Sequence, residues 1–349
     1  MPTSAPDLSP REARDRYLDK RRVDASESTI SSYHYRLKLF VEWCEDHDIE
    51  SMAHLSGWDI DSYEAHRRGG AIARTSLNNE LTTLKNWLEY CARIEVVDED
   101  LPEKVDVPDL TADEETRETT FDAHEARRLI DHYRSSDQCA SRGHVLLELA
   151  WFTAARVGGI RALDVRDLRE TPEGPYLHFT HRPETGTPLK NGADGERPVG
   201  IDQDLATILD EYVDSSRIEV SDDHGRQPLI TGQRGRPTPG TLRDWMYLAT
   251  QPCHYGPCPH DKDPATCDWR VQTTASHCPS SRSPHPVRGG AITWMRDREV
   301  PIETVSKRVN ASVEVIKQHY DTADSLSEMD RRRRPHLDKL GFDHDHSDQ

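Results

Sequence analysis

Lysine is scarce in this 349-residue chain, with nine residues against 36 arginines. Long apolar runs are missing as well. No stretch approaches the roughly 18 residues needed to cross a membrane as a helix, so a helical span is excluded. Met1 to Arg11 is polar and lacks the apolar centre of a secretory signal. There is no dense cysteine framework of the secreted kind either. Of the seven cysteines, Cys44, Cys91 and Cys139 are scattered, and Cys44 and Cys91 fall on apolar stripes where they read as small core residues. These absences lead to an expectation of a soluble, cytoplasmic protein without a membrane partner.

Acidic residues are plentiful. With 63 Asp and Glu against 45 Lys and Arg, the net charge is −18, which by itself argues against a nucleic-acid partner. High acid together with low lysine is, however, the balance of a protein that works in molar salt. There the Debye length is about 3 Å, so global repulsion from a polyanion is screened and local geometry must supply the contacts. The expectation is therefore a halophilic protein.

The length suits two domains, each with its own core. Residues 1–10 are expected to be disordered and residues 11–95 to form a small helical domain. A weak helix around Arg11 to Lys20 comes first, and Ser26-Glu27-Ser28-Thr29 then gives a helix start signal. Ile30, Tyr33, Leu37, Phe40, Val41 and Cys44 follow at steps of three and four, the spacing of one helix face. A further helix is predicted from Trp58 to Arg68, and the stripe Leu77, Leu81, Leu84, Leu88, Cys91 marks another. Residues 96–118, rich in Asp, Glu and Pro, read as an acidic linker.

Residues 119–335 are expected to form a second domain, mainly helical with a small antiparallel sheet. Its predicted helices are Phe121–Tyr133, His144–Thr153, Asp202–Ser216, Thr241–Ala249, Gly290–Asp297, Ile302–Val309 and Val313–Tyr320. Tyr176–Phe179 and Pro198–Ile201 are strand candidates, and the Gly-, Thr-, Asn- and Asp-rich segment from Glu184 to Gly195 suits a connection between them. Residues 336–349 are expected to be a disordered tail.

Three separated motifs stand out. Thr153-Ala154-Ala155-Arg156 leads to Leu163; His285-Pro286-Val287-Arg288 follows; His319-Tyr320 comes 32 residues after Arg288. Lys190, the only lysine between Lys104 and Lys262, lies in the connection between the two strand candidates. Alone each is weak. In this order and spacing, after a helical domain of the size expected for residues 11–95, they resemble the tyrosine recombinases (phage integrases), closest to archaeal members. The resemblance spans residues 11–335. It implies a four-helix, SAM-like core-binding domain that clamps DNA, followed by an α+β catalytic domain.

The resemblance also implies roles. Arg156 and Arg288 would grip the non-bridging oxygens of a phosphodiester, which planar guanidinium forks do bidentately and ammonium groups do not. Tyr320 would attack phosphorus to give a 3′-phosphotyrosyl link, with His285 as proton acceptor and Lys190 as proton donor to the departing 5′ oxygen. The implied activity is site-specific, ATP-independent recombination of double-stranded DNA without a catalytic cofactor, by a homo-oligomer that is a tetramer at synapsis. From Ser281 to Tyr320 seven Arg or Lys face four acids, a positive stretch in an acidic chain; the Arg331–Arg334 run is open to a phosphate or a purely solvated role.

The family pattern is broken in places. Gly159 stands where the family usually has Glu, Gly289 where it often has His, and Ala311 where a phosphate-binding His or Trp is usual. Loss of one such donor costs on the order of 3 kcal/mol of transition-state stabilisation; Asn310, one residue earlier, is the expected substitute. A catalytically degenerate, DNA-binding regulatory or architectural protein is therefore an alternative reading. A segment over 250–280 adds Cys253, Cys258, Cys267 and Cys278 with His254, His260 and His277. Sulfur and nitrogen donors of this kind suit tetrahedral zinc, expected to be structural; a zinc hydrolase built on it would leave Arg156, Lys190 and Tyr320 without a role.

Overall fold

The computed structural model describes residues 7–111 and 121–319, together with 329, 330, 334 and 337. Residues 1–6 of the expected disordered N-terminus, residues 112–118 of the expected linker, residues 119 and 120, Tyr320, Arg331–Arg333, and the tail apart from Leu337 lie outside the described residues. The chain divides into two units, 1–118 and 119–349.

The first unit carries helices α1 (Pro10–Arg21), α2 (Glu27–Asp46), α3 (Gly57–Arg68) and α4 (Arg74–Arg93). Ser9 caps α1 in a full capping box with Glu12, and Ser26 caps α2 through the Thr29 N–H, each satisfying an end donor that the helix cannot. The predicted stripes meet in one core around Leu37, Phe40, Ile60, Leu81, Trp87 and Leu88. Glu80 is buried inside it, and Arg67 holds both of its oxygens at 2.7 and 2.8 Å, the pairing that lets a carboxylate leave water.

Two boundaries differ from expectation. Residues 7–10 are tied in, with Ser51 donating to Asp7 and the Met52 N–H to the Leu8 carbonyl. The first part of the expected linker is folded: Val96, Val97, Leu101 and Val105 are buried in this core, and Arg68 pairs with Asp106 at 2.9 Å. The acids face water while the valines face in, so composition concealed a packed segment.

The second unit opens with α5 (Ala123–Ser135) and α6 (Arg142–Thr153), then a short α7 (Val157–Ala162). Helix α6 is buried all round, as its even apolar content requires. Strands β1 (Leu168–Thr171), β2 (Gly174–Phe179) and β3 (Arg197–Gly200) form an antiparallel sheet in the order β1-β2-β3. Leu168 pairs with Leu177, and Leu177 with Val199; Leu177, Phe179 and Val199 are buried, so one face turns to the core. Helices α8 (Gln203–Glu211), α9 (Pro239–Ala249), α10 (Pro284–Asp297), α11 (Ile302–Val309) and α12 (Val313–His319) complete the unit. The chain is mainly α with a small antiparallel sheet. Among the described residues no helix is long and apolar enough to cross a membrane.

Ion pairs are built into this interior. Asp164 accepts from Arg226 and Arg236, and Asp167 from Arg182 at 2.6 and 2.8 Å. Burial raises the Asp164 carboxyl, and the two guanidiniums more than offset this, leaving it below its ordinary range. Helix α10 comes so close to the start of the unit that a Cβ on Gly290 would lie 1.7 Å from the Phe121 carbonyl oxygen.

Candidate active site

Arg156 is placed by a sharp break between α6 and α7. Thr153, fully buried, donates its hydroxyl to the Leu149 carbonyl and accepts from the Ala155 N–H at 3.1 Å. Ala154 then turns left-handed, with φ 47° and ψ 31°, and ends α6. Arg156 follows in extended conformation as the N-cap of α7. Its Nη1 reaches the Asn310 carbonyl at 2.7 Å.

Arg288 sits in the second turn of α10 and is 1% exposed. Its Nη1 donates to the carbonyls of Ala154 and Val309. His285 is three residues earlier, one helical step up the same face, and is exposed between Pro284 and Pro286. Arg156 and Arg288, 132 residues apart in sequence, are thus brought onto neighbouring carbonyls of one turn. Lys190 lies exposed in the β2–β3 connection. The next residue, Asn191, donates Nδ2 to the Asn310 Oδ1 at 3.1 Å, which ties the lysine-bearing loop to the same turn.

That turn is the C-terminal end of α11. Asn310 caps it in the left-handed region (φ 52°, ψ 62°), a conformation that asparagine tolerates better than most residues. Because Asn191 occupies Oδ1, the Nδ2 end of the Asn310 amide faces away from Asn191, near Gly195. Ala311 is buried and its side chain has no hydrogen-bond donor. Ser306 fixes the turn by donating its hydroxyl to the Ala311 carbonyl at 2.7 Å and accepting the Ala311 N–H at its own carbonyl. Helix α12 follows with Ile316 buried and ends at His319, directly before Tyr320.

Sequence reasoning missed Arg197. On β3, its Nε donates to the Arg308 carbonyl at 2.7 Å and its Nη1 to the Gly195 carbonyl at 2.9 Å. Its guanidinium lies over the Phe179 ring, 4.6 Å from the centroid. Gly159 belongs to the same arrangement, since a Cβ there would already press on that ring at 3.4 Å. Burial, and then the charges of Arg288, Arg156 and Arg308, push the Arg197 guanidinium down to about 10. Arg308 is held by the Phe152 and Gly200 carbonyls.

The cysteine-rich segment carries short 3-10 turns over Pro252–His254, Asp268–Arg270 and Gln272–His277. Among the described residues no three His, Cys, Asp or Glu side chains are grouped to hold a metal ion. Cys278 is buried, and burial pushes its thiol up; the Cys253 and Cys258 thiols add to this, while the Ser280 and Ser281 N–H groups act against it. Arg270 donates to the Cys253 sulfur at 3.2 Å, and Cys267 caps the Asp268–Arg270 turn. His254 is turned inward onto the Leu248 carbonyl and Tyr133 hydroxyl, and His260 onto the Ser280 hydroxyl.

Comparison with known proteins places residues 15–94 in the phage integrase N-terminal SAM-like domain. The tyrosine recombinase XerD of Halalkalibacterium halodurans is 21% identical over 213 residues, which are 61% of this chain and 66% of that protein. The N-terminal domain of a phage integrase/site-specific recombinase from Haloarcula marismortui is 62% identical, covering 30% of this chain and 99% of that domain (TM-score 0.29). A lambda integrase tetramer bound to a Holliday junction shares the fold at 13% identity, over 95% of this chain and 79% of that one (TM-score 0.58).

Proposed function

The chain belongs to the tyrosine recombinase (phage integrase) family, and on that premise we propose that it recombines double-stranded DNA site-specifically by cleaving and rejoining strands through Tyr320. The observation that carries this reading is the convergence of Arg156, Arg288 and Asn310 on the end of α11, with the Lys190 loop tied to it and α12 leading straight to the tyrosine. Two guanidiniums on one anchored turn suit the charge that gathers on a pentacoordinate phosphorus. The Tyr320 oxygen attacks phosphorus while the P–O5′ bond breaks. His285 takes the phenolic proton and Lys190 gives one to the departing 5′ oxygen. The new phosphotyrosyl bond preserves the energy of the old one, so rejoining needs no nucleotide triphosphate.

Asn310 supplies the donor that Ala311 cannot, through its Nδ2. A nicked suicide duplex, incubated with the chain in concentrated salt, should give an SDS-resistant protein–DNA adduct. Absence of any adduct would sink the reading and leave a DNA-binding relative without cleavage. In the same assay Asn310→Ala should slow adduct formation about 10²-fold, the scale of one lost donor; an unchanged rate removes Asn310 from the site.

The partner is DNA, bound by a homo-oligomer that is a tetramer at synapsis, in line with the lambda integrase tetramer on its junction. The low-lysine, acid-rich surface fits work in concentrated salt. For the cysteine-rich segment the proposal is a structural zinc held by Cys253, Cys258, Cys267 and Cys278. Its support is a long segment whose buried apolar residues are only Ala275 and Cys278 among 252–280, too little core to order it unaided. Metal analysis of the purified chain should find one zinc per chain, lost in Cys278→Ser; less than half an equivalent rejects the site.

A further inference from the structure

Arg156, Arg288 and Arg197 come from three different elements and donate to three consecutive carbonyls, those of Asn310, Val309 and Arg308. The three guanidiniums are thus gathered around one turn, near enough for the charges of Arg288 and Arg156 to act on Arg197. The end of a helix is where this can happen, because its last carbonyls lack intrahelical donors and carry the negative end of the dipole. Among the described residues no carboxylate pairs with Arg156 or Arg197. The side of Arg197 that meets Phe179 faces a ring rather than an acid, and Gly159 brings no carboxylate to that ring. Arg156 and Arg197, half-buried cations that meet carbonyl dipoles and a ring face among the described residues, favour an oxyanion as counter-charge.

We propose that Arg197 is a third arginine of an oxyanion pocket with Arg156 and Arg288, and that this pocket takes a tetrahedral phosphate even when no DNA is present. The assignment rests on the reading of this site as the place of the scissile phosphate. Free phosphate and a DNA phosphodiester share the chemistry that the pocket recognises, so the two are examined separately.

Inorganic phosphate is titrated calorimetrically into the full-length chain without DNA, in enough potassium chloride to keep it folded, and adduct formation on the nicked duplex is timed alongside. The wild-type chain should bind phosphate. Arg197→Met should weaken that binding at least about tenfold, the scale of a lost charge-assisted contact, and slow adduct formation by a similar factor. Affinity for the duplex, spread over many phosphates, should change by no more than about threefold. Arg197→Gln retains an N–H for the Arg308 carbonyl without the charge and decides the matter if the methionine variant melts early. Wild-type phosphate affinity in whichever variant folds, or no phosphate binding by the wild type, overturns the proposal. Phosphate binding without any adduct would instead defeat the cleavage reading and leave the pocket standing.

Discussion

A Tyr320→Phe chain should give no SDS-resistant adduct on the nicked duplex, while Arg288→Lys should form it at least about 10²-fold more slowly than the wild type. The phenylalanine variant lacks the phenolic oxygen proposed to attack phosphorus, so no covalent bond can form at that position. The lysine variant retains a charge, yet Arg288 is 1% exposed and spends Nη1 on the Ala154 and Val309 carbonyls. A guanidinium can be anchored at one nitrogen and still present its remaining N–H groups in a fixed plane. An ammonium must choose between the anchor and the phosphate. Loss of one preorganised donor of this kind typically costs a factor of 10²–10³. Duplex binding by gel shift should stay within a few-fold for both variants. An adduct formed by the Tyr320→Phe chain, or wild-type speed in Arg288→Lys, would show that the chemistry lies elsewhere.

The second large effect is on folding. Gly290→Ala should destabilise the second unit by more than about 4 kcal/mol, a large part of the 5–15 kcal/mol that typically holds a domain together. The added methyl would sit 1.7 Å from the Phe121 carbonyl oxygen and 3.3 Å from the Trp151 ring. Neither can yield easily: Phe121 is buried and packs edge-on against Trp151 at 5.8 Å. Relief requires α10 to move away, carrying Arg288 with it. Gly158→Ala is the matched control, since nothing lies within 4 Å of the new methyl in α7; there the gain in helix propensity should raise stability by about 0.5–1 kcal/mol. Urea unfolding monitored by tryptophan fluorescence separates the two. A Gly290→Ala midpoint equal to the wild type would contradict the close approach of α10 to Phe121.

Most helices were legible in the sequence because their apolar residues recur at helical spacing over two or more turns, as from Ile30 to Cys44 and from Leu77 to Cys91. Helix α7 was not: it has six residues, two of them glycine, too few for any period to show. Strand β1 escaped for a related reason, since three of its four residues are exposed and it is a strand only through its pairing with β2. Val96, Val97, Leu101 and Val105 were hidden among acids and prolines. In the site, Arg156 and Arg288 could be named because their boxes have a recognisable order. Arg197 could not. An arginine before a short strand has the look of a solvated charge, and what recruits it is a row of main-chain carbonyls, which no side-chain pattern announces. Asn191 was likewise invisible, because its role depends on which loop folds over Asn310.

The row of carbonyls at the end of α11 has a mechanical consequence. Each charge-assisted hydrogen bond there is worth about 1.5–3 kcal/mol, so prising the 308–310 turn from its three arginines would cost several kilocalories per mole. Ser306 latches the next residue from both sides, and Ile316 is anchored in the core. The chain cannot hinge cheaply between Arg308 and Ile316. The stretch from Arg308 to Ile316 is therefore one stiff piece, and the three guanidiniums bonded to it share a single frame.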